Sequence, residues 1–207
     1  MGNGSNARES YLFRVMQFAI GSVVIAGLVT HNVGVLVNAV FALGVTVLPA
    51  LLERDFRISL NPILTLWITA AVFLHAIGMV GLYEVVWWWD HLTHLLSATI
   101  VAGVGYATAR ALDEHSDAVS FPPRFMFVYV LLFTLAFGVI WEVLEFAVHD
   151  FARVIGVEPV LIQYGLDDTI TDLIFDVTGG LLVALFGTDA LSGTIEMLVT
   201  RLSGSAE

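Results

Sequence analysis

Six apolar blocks of about twenty residues each constrain this 207-residue chain more than any other feature. A helix of about twenty apolar residues spans the hydrocarbon core of a bilayer. The chain is 58% hydrophobic, with a mean hydropathy of +0.88, whereas a soluble domain is about half apolar. The sequence therefore predicts an all-α integral membrane protein, in which residues 1–207 form one domain, a bundle of six transmembrane helices.

Turn and charge signals separate the apolar blocks and set the expected helix bounds. The six predicted helices are Tyr11–Val29, Val33–Leu52, Ile63–Leu82, His91–Ala111, Phe125–Val148 and Asp168–Phe186. The weakly apolar end of the chain, Thr188–Glu207, is expected to lie at the membrane surface instead of crossing it. The first block is long for a signal peptide and lacks a clear cleavage site, so we expect it to remain as a membrane helix.

Arginine orients the predicted bundle, because the chain has eight arginines and no lysine. Six crossings put both termini on one side of the membrane. Seven arginines fall on that side: Arg8, Arg14, Arg54, Arg57, Arg110, Arg124 and Arg201. The opposite side carries only Arg153. Basic residues favour the cytoplasmic side, so we expect cytoplasmic termini, a location in the plasma membrane, and an outer interfacial belt formed by residues 87–89, three tryptophans.

The charge balance and the lack of cysteine narrow the function classes. The net charge is −11 and there is no cysteine, which excludes disulfides and thiolate metal sites and disfavours nucleic acid as a partner. An acidic, lysine-free composition indicates a salt-adapted, halophilic host. The lipid bilayer is the one partner that the composition predicts, and it does not set an oligomeric state.

Three of the predicted helices carry ionisable residues in the same outer third of the membrane. These are Asp90 and His94 on the fourth helix, Glu142, Glu145 and His149 on the fifth, and Asp168, Asp172 and Asp176 on the sixth. At about 100° per residue, the ionisable residues of each helix share one face. Each face continues into small residues, which mark helix–helix contacts in membranes. The acids are therefore expected to point into the bundle.

Acids at this depth need a partner, because each costs about 2.5–3.5 kcal/mol at mid-membrane on insertion scales. The chain has no lysine and no arginine in the outer halves of these helices. Either several carboxyl groups hold protons, or a divalent metal ion lies among them; a purely structural hydrogen-bond network is a further alternative. Carboxylates mixed with imidazole suit Zn, Mn or Fe better than Mg. The predicted metal ligands are His94, Glu142, Asp172 and Asp176.

Other ionisable residues receive supporting roles in this prediction. Asp90 and Asp168 are expected to cap their helices and to orient a ligand from outside the metal's coordination sphere. His149 is expected either to orient a metal ligand from outside the coordination sphere or to cap the end of the fifth helix. Glu145 is the candidate general base, since neighbouring acids raise the pKa of a carboxyl group. His75 is expected to be a hydrogen-bonded packing residue.

Three motifs together carry a family resemblance: "WWWDHLTHLLSA", "WEVLEF" and "GLDDTITDLIFDVTGG". Along nearly its whole length the chain resembles the YjdF-like family of uncharacterised prokaryotic membrane proteins. More loosely it is similar to VanZ-like proteins, some of which are linked to glycopeptide antibiotic resistance. The resemblance implies a six-helix membrane fold and supplies no activity. The family pattern maps onto Asp90, His94, Glu142, Glu145, Asp168, Asp172 and Asp176, and His91 and His149 depart from it.

The leading functional prediction is an outward-facing, metal-dependent membrane hydrolase that acts on a lipid or polyprenyl headgroup, with a phosphorylated headgroup favoured. No arginine cluster for phosphate is visible, which leaves other hydrolytic reactions open. One alternative is a proton or cation transporter, although the acids stop about halfway across the membrane. The other is a non-catalytic factor that binds a lipid or a partner and uses the metal as a clip.

Overall fold

The computed structural model describes residues 2–116 and 118–204, and within them it contains helices and no strand. The six long helices are α1 (Gly2–Val29), α2 (Val33–Phe56), α3 (Pro62–Ile77), α4 (Trp89–His115), α5 (Pro123–Ile155) and α6 (Leu166–Gly204). Each of six helical segments is long and apolar enough to cross a membrane. The predicted all-α, six-helix membrane fold is confirmed, and the cytoplasmic location of the termini stays a prediction.

Local signals explain where α2 and α3 begin. The side chain of Asn32 accepts a hydrogen bond from the Val35 backbone amide at 2.9 Å, and Asn61 does the same for Leu64 at 2.7 Å. Asparagine is a preferred residue at this capping position because it satisfies a backbone donor that lacks a partner inside the helix. Pro62 follows as the first residue of α3, where its missing amide hydrogen costs nothing. The caps thus fix both short connections around α2.

The last helix is much longer than predicted. The apolar pattern predicted an end at Phe186 and a separate surface segment over Thr188–Glu207, but α6 continues without a break through its 39 residues to Gly204. The last three residues of that segment, 205–207, lie outside the described residues. The reason for the continuation is packing: Ile195 is 5% exposed and shares a core with Tyr106 and Met126. The predicted helix end at Phe186 was wrong because this packing, and not the hydropathy of the segment, keeps the chain helical. The location of Thr188–Glu207 at the membrane surface stays a prediction.

The end of α3 changes its winding. α3 passes directly into a π-helical turn, Gly78–Leu82, and then a single α-helical turn, Tyr83–Val85. Gly81 has φ = 117°, a backbone conformation that side-chain-bearing residues rarely adopt. A Cβ atom on Gly78 would lie 2.5 Å from the Tyr83 ring. The ring of Tyr83 therefore packs directly on the backbone of the preceding turn.

The described residues divide into two compact units. The first unit comprises the residues up to Thr93 together with Glu142–Gly165, and the second comprises His94–Trp141 together with the residues from Leu166 onward. In the first unit α1, α2 and α3 pack against one another around small apolar cores. In the second unit segments of α4, α5 and α6 pack together. That the whole chain acts as one domain stays a prediction.

Candidate metal centre

Close contact between α4 and α6 builds the centre in the second unit. A Cβ atom on Gly179 would lie 2.7 Å from the Leu95 carbonyl oxygen and 2.8 Å from the Ala98 side chain. Only glycine allows two backbones to approach so closely, as at other helix contacts in membranes. Because Gly179 lies three residues after Asp176 and Leu95 directly follows His94, this contact brings the two ionisable side chains together.

α5 approaches the same carboxylate through a second glycine. A Cβ atom on Gly138 would lie 2.3 Å from Asp176 Oδ2. The Asp176 carboxylate therefore occupies the space that a side chain at position 138 would fill. One helical turn earlier on α5, Thr134 is 1% exposed, and its hydroxyl lies 3.0 Å from the position of a Cβ on Gly180.

His94 and Asp176 form the best-defined contact of the centre. His94 Nδ1 lies 3.3 Å from Asp176 Oδ1. Their side chains are 10% and 7% exposed. With Asp176 ionised, Nδ1 carries the hydrogen and donates it, which leaves Nε2 as the ring nitrogen that can bind a ligand.

A second buried carboxylate lies beside the same imidazole. Asp172, one helical turn before Asp176 on α6, is 1% exposed. One of its carboxylate oxygens and one ring nitrogen of His94 lie within 4.8 Å of each other, the reach of two ligands of one metal ion. Asp90, one turn before His94 on α4, belongs to the first unit, and its expected role in orienting a ligand stays a prediction. The imidazole thus has a candidate co-ligand on α6.

The remaining predicted residues are placed as follows. Glu142 lies on α5 and is 4% exposed, while Glu145, His149 and Asp168 are half-buried. His149 Nδ1 accepts a hydrogen bond from the Gln163 backbone amide at 3.2 Å, so this side chain holds the loop that follows α5. The predicted ligand and base roles of Glu142 and Glu145 stay predictions.

A second polar cluster, in the first unit, was not predicted from the sequence. It joins Asn38 on α2, His75 on α3 and Tyr83 in the helical turn after α3. His75 Nε2 lies 3.0 Å from Asn38 Oδ1, and His75 Nδ1 lies 2.8 Å from the Tyr83 hydroxyl. The prediction that His75 is a hydrogen-bonded residue is confirmed, but no spacing in the sequence indicated its partners.

A family model described as "Predicted membrane protein (DUF2238)" matches residues 11–192, which is most of the chain. The chain belongs to this family. An uncharacterised protein of Thermotoga maritima is 29% identical over 116 residues, which cover 55% of this chain and 56% of that protein. No solved structure matches. Membership of DUF2238 agrees with the six membrane-spanning segments and leaves the activity to be inferred from the site.

Proposed function

We propose that this DUF2238 protein is a plasma-membrane metalloprotein that binds one divalent transition-metal ion through His94 Nε2 and Asp172. Asp176 orients the imidazole. The metal centre faces the outside of the cell and acts on a lipid or polyprenyl headgroup. We further propose that the narrower YjdF-like resemblance applies to this chain.

The observation that carries the proposal is the contact between His94 Nδ1 and Asp176 Oδ1 at 3.3 Å. Metal-binding histidines almost always donate their second ring hydrogen to a carboxylate or carbonyl oxygen, which fixes the tautomer and strengthens the ligand nitrogen. The proposal therefore changes one role of the sequence prediction: Asp176 becomes the orienting residue, while His94 and Asp172 stay ligands.

The composition of the group also supports a cation. Asp172 and Asp176 are 1% and 5% exposed. Two carboxylates and one imidazole carry excess negative charge when the carboxylates are ionised. A buried charge is strongly unfavourable unless it is paired or coordinates a metal. One imidazole with carboxylates is a ligand set that suits Zn, Mn or Fe.

A divalent ion held by His94 and Asp172 would supply Lewis-acid catalysis, by polarising a phosphoryl or carbonyl oxygen of a headgroup. The role of Glu145, half-buried on α5, as general base stays a prediction. Membership of a membrane-protein family and six spanning segments support a substrate that the bilayer itself delivers.

Elemental analysis tests the proposal. Protein purified without chelator, then supplemented in turn with Zn, Mn and Fe, should retain about one equivalent of one of these metals. His94→Gln and Asp172→Asn should each weaken binding by more than about 100-fold, the upper end of the loss seen when an outer partner is removed. Asp189→Asn, an exposed acid on the same helix α6, is the matched control and should bind like the wild type. Wild-type protein without metal under all three conditions would refute the proposal.

A further inference from the structure

We propose that Tyr83, His75 and Asn38 form an acid–base triad, in which the Tyr83 hydroxyl passes a proton to His75. The triad would serve as the proton acceptor for a hydroxyl group that reacts at Tyr83. This proton transfer does not rest on the proposed function. All three residues belong to the first unit.

The geometry follows the order of hydroxyl, base and orienting group. The Tyr83 hydroxyl lies 2.8 Å from His75 Nδ1, and His75 Nε2 lies 3.0 Å from Asn38 Oδ1. The imidazole and phenol rings meet edge to face, with centroids 5.8 Å apart. A hydroxyl within hydrogen-bond reach of a base, with the base held by a third group, is the arrangement that activates hydroxyl nucleophiles in enzymes.

The orientation of the Asn38 amide fixes the tautomer of His75. Asn38 Nδ2 donates to the Gly34 carbonyl at 2.9 Å and to the Val160 carbonyl at 2.6 Å. These two bonds use both amide hydrogens, so Oδ1 faces the imidazole as an acceptor. His75 Nε2 must therefore carry the hydrogen, and Nδ1 accepts from the Tyr83 hydroxyl. The base nitrogen points at the hydroxyl without any rearrangement.

The proposed step moves two protons in one relay and changes no oxidation state. The O–H bond of Tyr83 breaks as a new N–H bond forms at His75 Nδ1. At the same time Tyr83 Oη takes the proton of the reacting hydroxyl group, so that tyrosine stays neutral. His75 becomes an imidazolium ion and keeps its Nε2–H bond to Asn38.

The surroundings of Tyr83 require a concerted step. Burial of the hydroxyl, together with the nearby Asp90 and Glu145, disfavours a phenolate, and Thr93 Oγ1 lies 3.4 Å from the hydroxyl. The proton therefore leaves for His75 only as Tyr83 Oη forms its bond to the incoming group, and the tyrosine carries no negative charge.

A phenol-reactive probe tests the transfer directly. In the reaction of an aryl sulfonyl fluoride with Tyr83, an O–S bond forms, the S–F bond breaks, fluoride leaves and the phenol proton passes to His75. Tyr83 as a whole is half-buried, while its hydroxyl is largely buried, so the probe must be small and apolar. Mass spectrometry of full-length protein in nanodiscs should find Tyr83 labelled, and His75→Gln should slow the labelling about 100-fold, the low end of what a general base contributes. Tyr129, whose ring stacks on Phe125, is the internal control and should react slowly in both proteins.

Further variants separate a reactive triad from a packing network. Asn38→Leu should slow labelling of Tyr83 about tenfold because His75 loses the acceptor that fixes its tautomer. Thr46→Val removes another buried hydrogen bond on α2, the one that Gln17 donates at 2.9 Å, and should lower the melting temperature without changing the labelling rate. Equal labelling of Tyr83 in wild type and His75→Gln, or no labelling of Tyr83 in the wild type, would overturn the triad.

The same assay keeps the two proposals apart. His94→Gln and Asp172→Asn should lose the metal and still label Tyr83 at the wild-type rate, with or without chelator. Absence of metal binding by the wild type would refute the metal centre and leave the labelling result standing. Slow labelling in these two variants would contradict a triad that works independently of the metal.

Discussion

The two polar clusters of this protein satisfy their buried groups in different ways. In the first unit, Asn38, His75 and Tyr83 form a hydrogen-bonded set of neutral groups in which each donor meets an acceptor. In the second unit, His94 meets Asp176 at 3.3 Å, with Asp172 beside the same ring. The carboxylates of Asp172 and Asp176 offer more acceptor oxygens than the His94 imidazole has N–H groups to donate.

The difference indicates which cluster needs a ligand. A matched set of neutral donors and acceptors is stable by itself, because each buried group keeps a hydrogen bond. A group dominated by carboxylates is stabilised by protons or by a cation, since negative charges in a poorly hydrated site repel one another. Breaking the first cluster should therefore cost folding free energy, whereas breaking the second should cost binding.

The largest expected effect is on stability in the first unit. Asn38→Leu leaves the Val160 carbonyl and the His75 Nε2–H without the partner that Asn38 provides. A buried polar group that loses its partner costs about 1–3 kcal/mol, so the two groups together should lower the free energy of unfolding by roughly 2–6 kcal/mol. Thermal or denaturant unfolding in detergent measures this. Asn32→Ser, which keeps a capping oxygen on the same helix α2, is the control, and an unchanged stability for Asn38→Leu would contradict the matched network.

The next effect is on metal affinity in the second unit. In Gly138→Ala the new methyl group would lie 2.3 Å from Asp176 Oδ2, so the carboxylate must move away from its position beside His94. Loss of an orienting partner lowers metal affinity about 10–100-fold, and titration calorimetry would measure it. Gly44→Ala is the matched control because a Cβ there meets nothing within 4 Å. Wild-type affinity in Gly138→Ala would show that Asp176 does not orient the ligand.

Much of the second unit could be predicted from the sequence, because its helices are regular. Spacings of three and four residues put His94, Asp172 and Asp176 on inward faces, and small residues such as Gly179 extend those faces. The structure has all three largely buried, with His94 in contact with Asp176. The residue spacing does not predict that His94 Nδ1 faces Asp176 Oδ1. That contact depends on how closely the helices approach, which Gly138 allows.

The first unit's cluster could not be predicted, because it depends on an irregular turn. Tyr83 follows His75 by eight residues, which in a regular helix would separate them by about 12 Å along the axis. The π-helical turn Gly78–Leu82 and the positive φ of Gly81 fold Tyr83 back to 2.8 Å from His75. Glycine at positions 78 and 81 is compatible with many structures, so its presence does not predict this one.

The smallest expected effect is on the stability of the metal-free protein, which Asp172→Asn should not lower. This result distinguishes a metal-binding site from a structural hydrogen-bond network. Asp172→Asn removes one buried negative charge at nearly constant volume. In a metal site the metal-free acids repel one another, so the metal-free variant should melt no lower than the wild type.

The same variant should lose most of the stabilisation that metal brings. A ligand that binds only the folded state stabilises it by about 2.7 kcal/mol at 100 times its dissociation constant, and this gain shrinks as affinity falls. The measurement is a set of melts of wild type, Asp172→Asn and the exposed control Asp189→Asn, each with chelator and with saturating metal. If Asp172 were instead an acceptor in a structural network, its loss would cost about 1.5–3 kcal/mol whether or not metal is present. An Asp172→Asn variant that melts lower by the same amount in both conditions would therefore assign the buried acids to the scaffold and remove the basis for a metal-dependent activity.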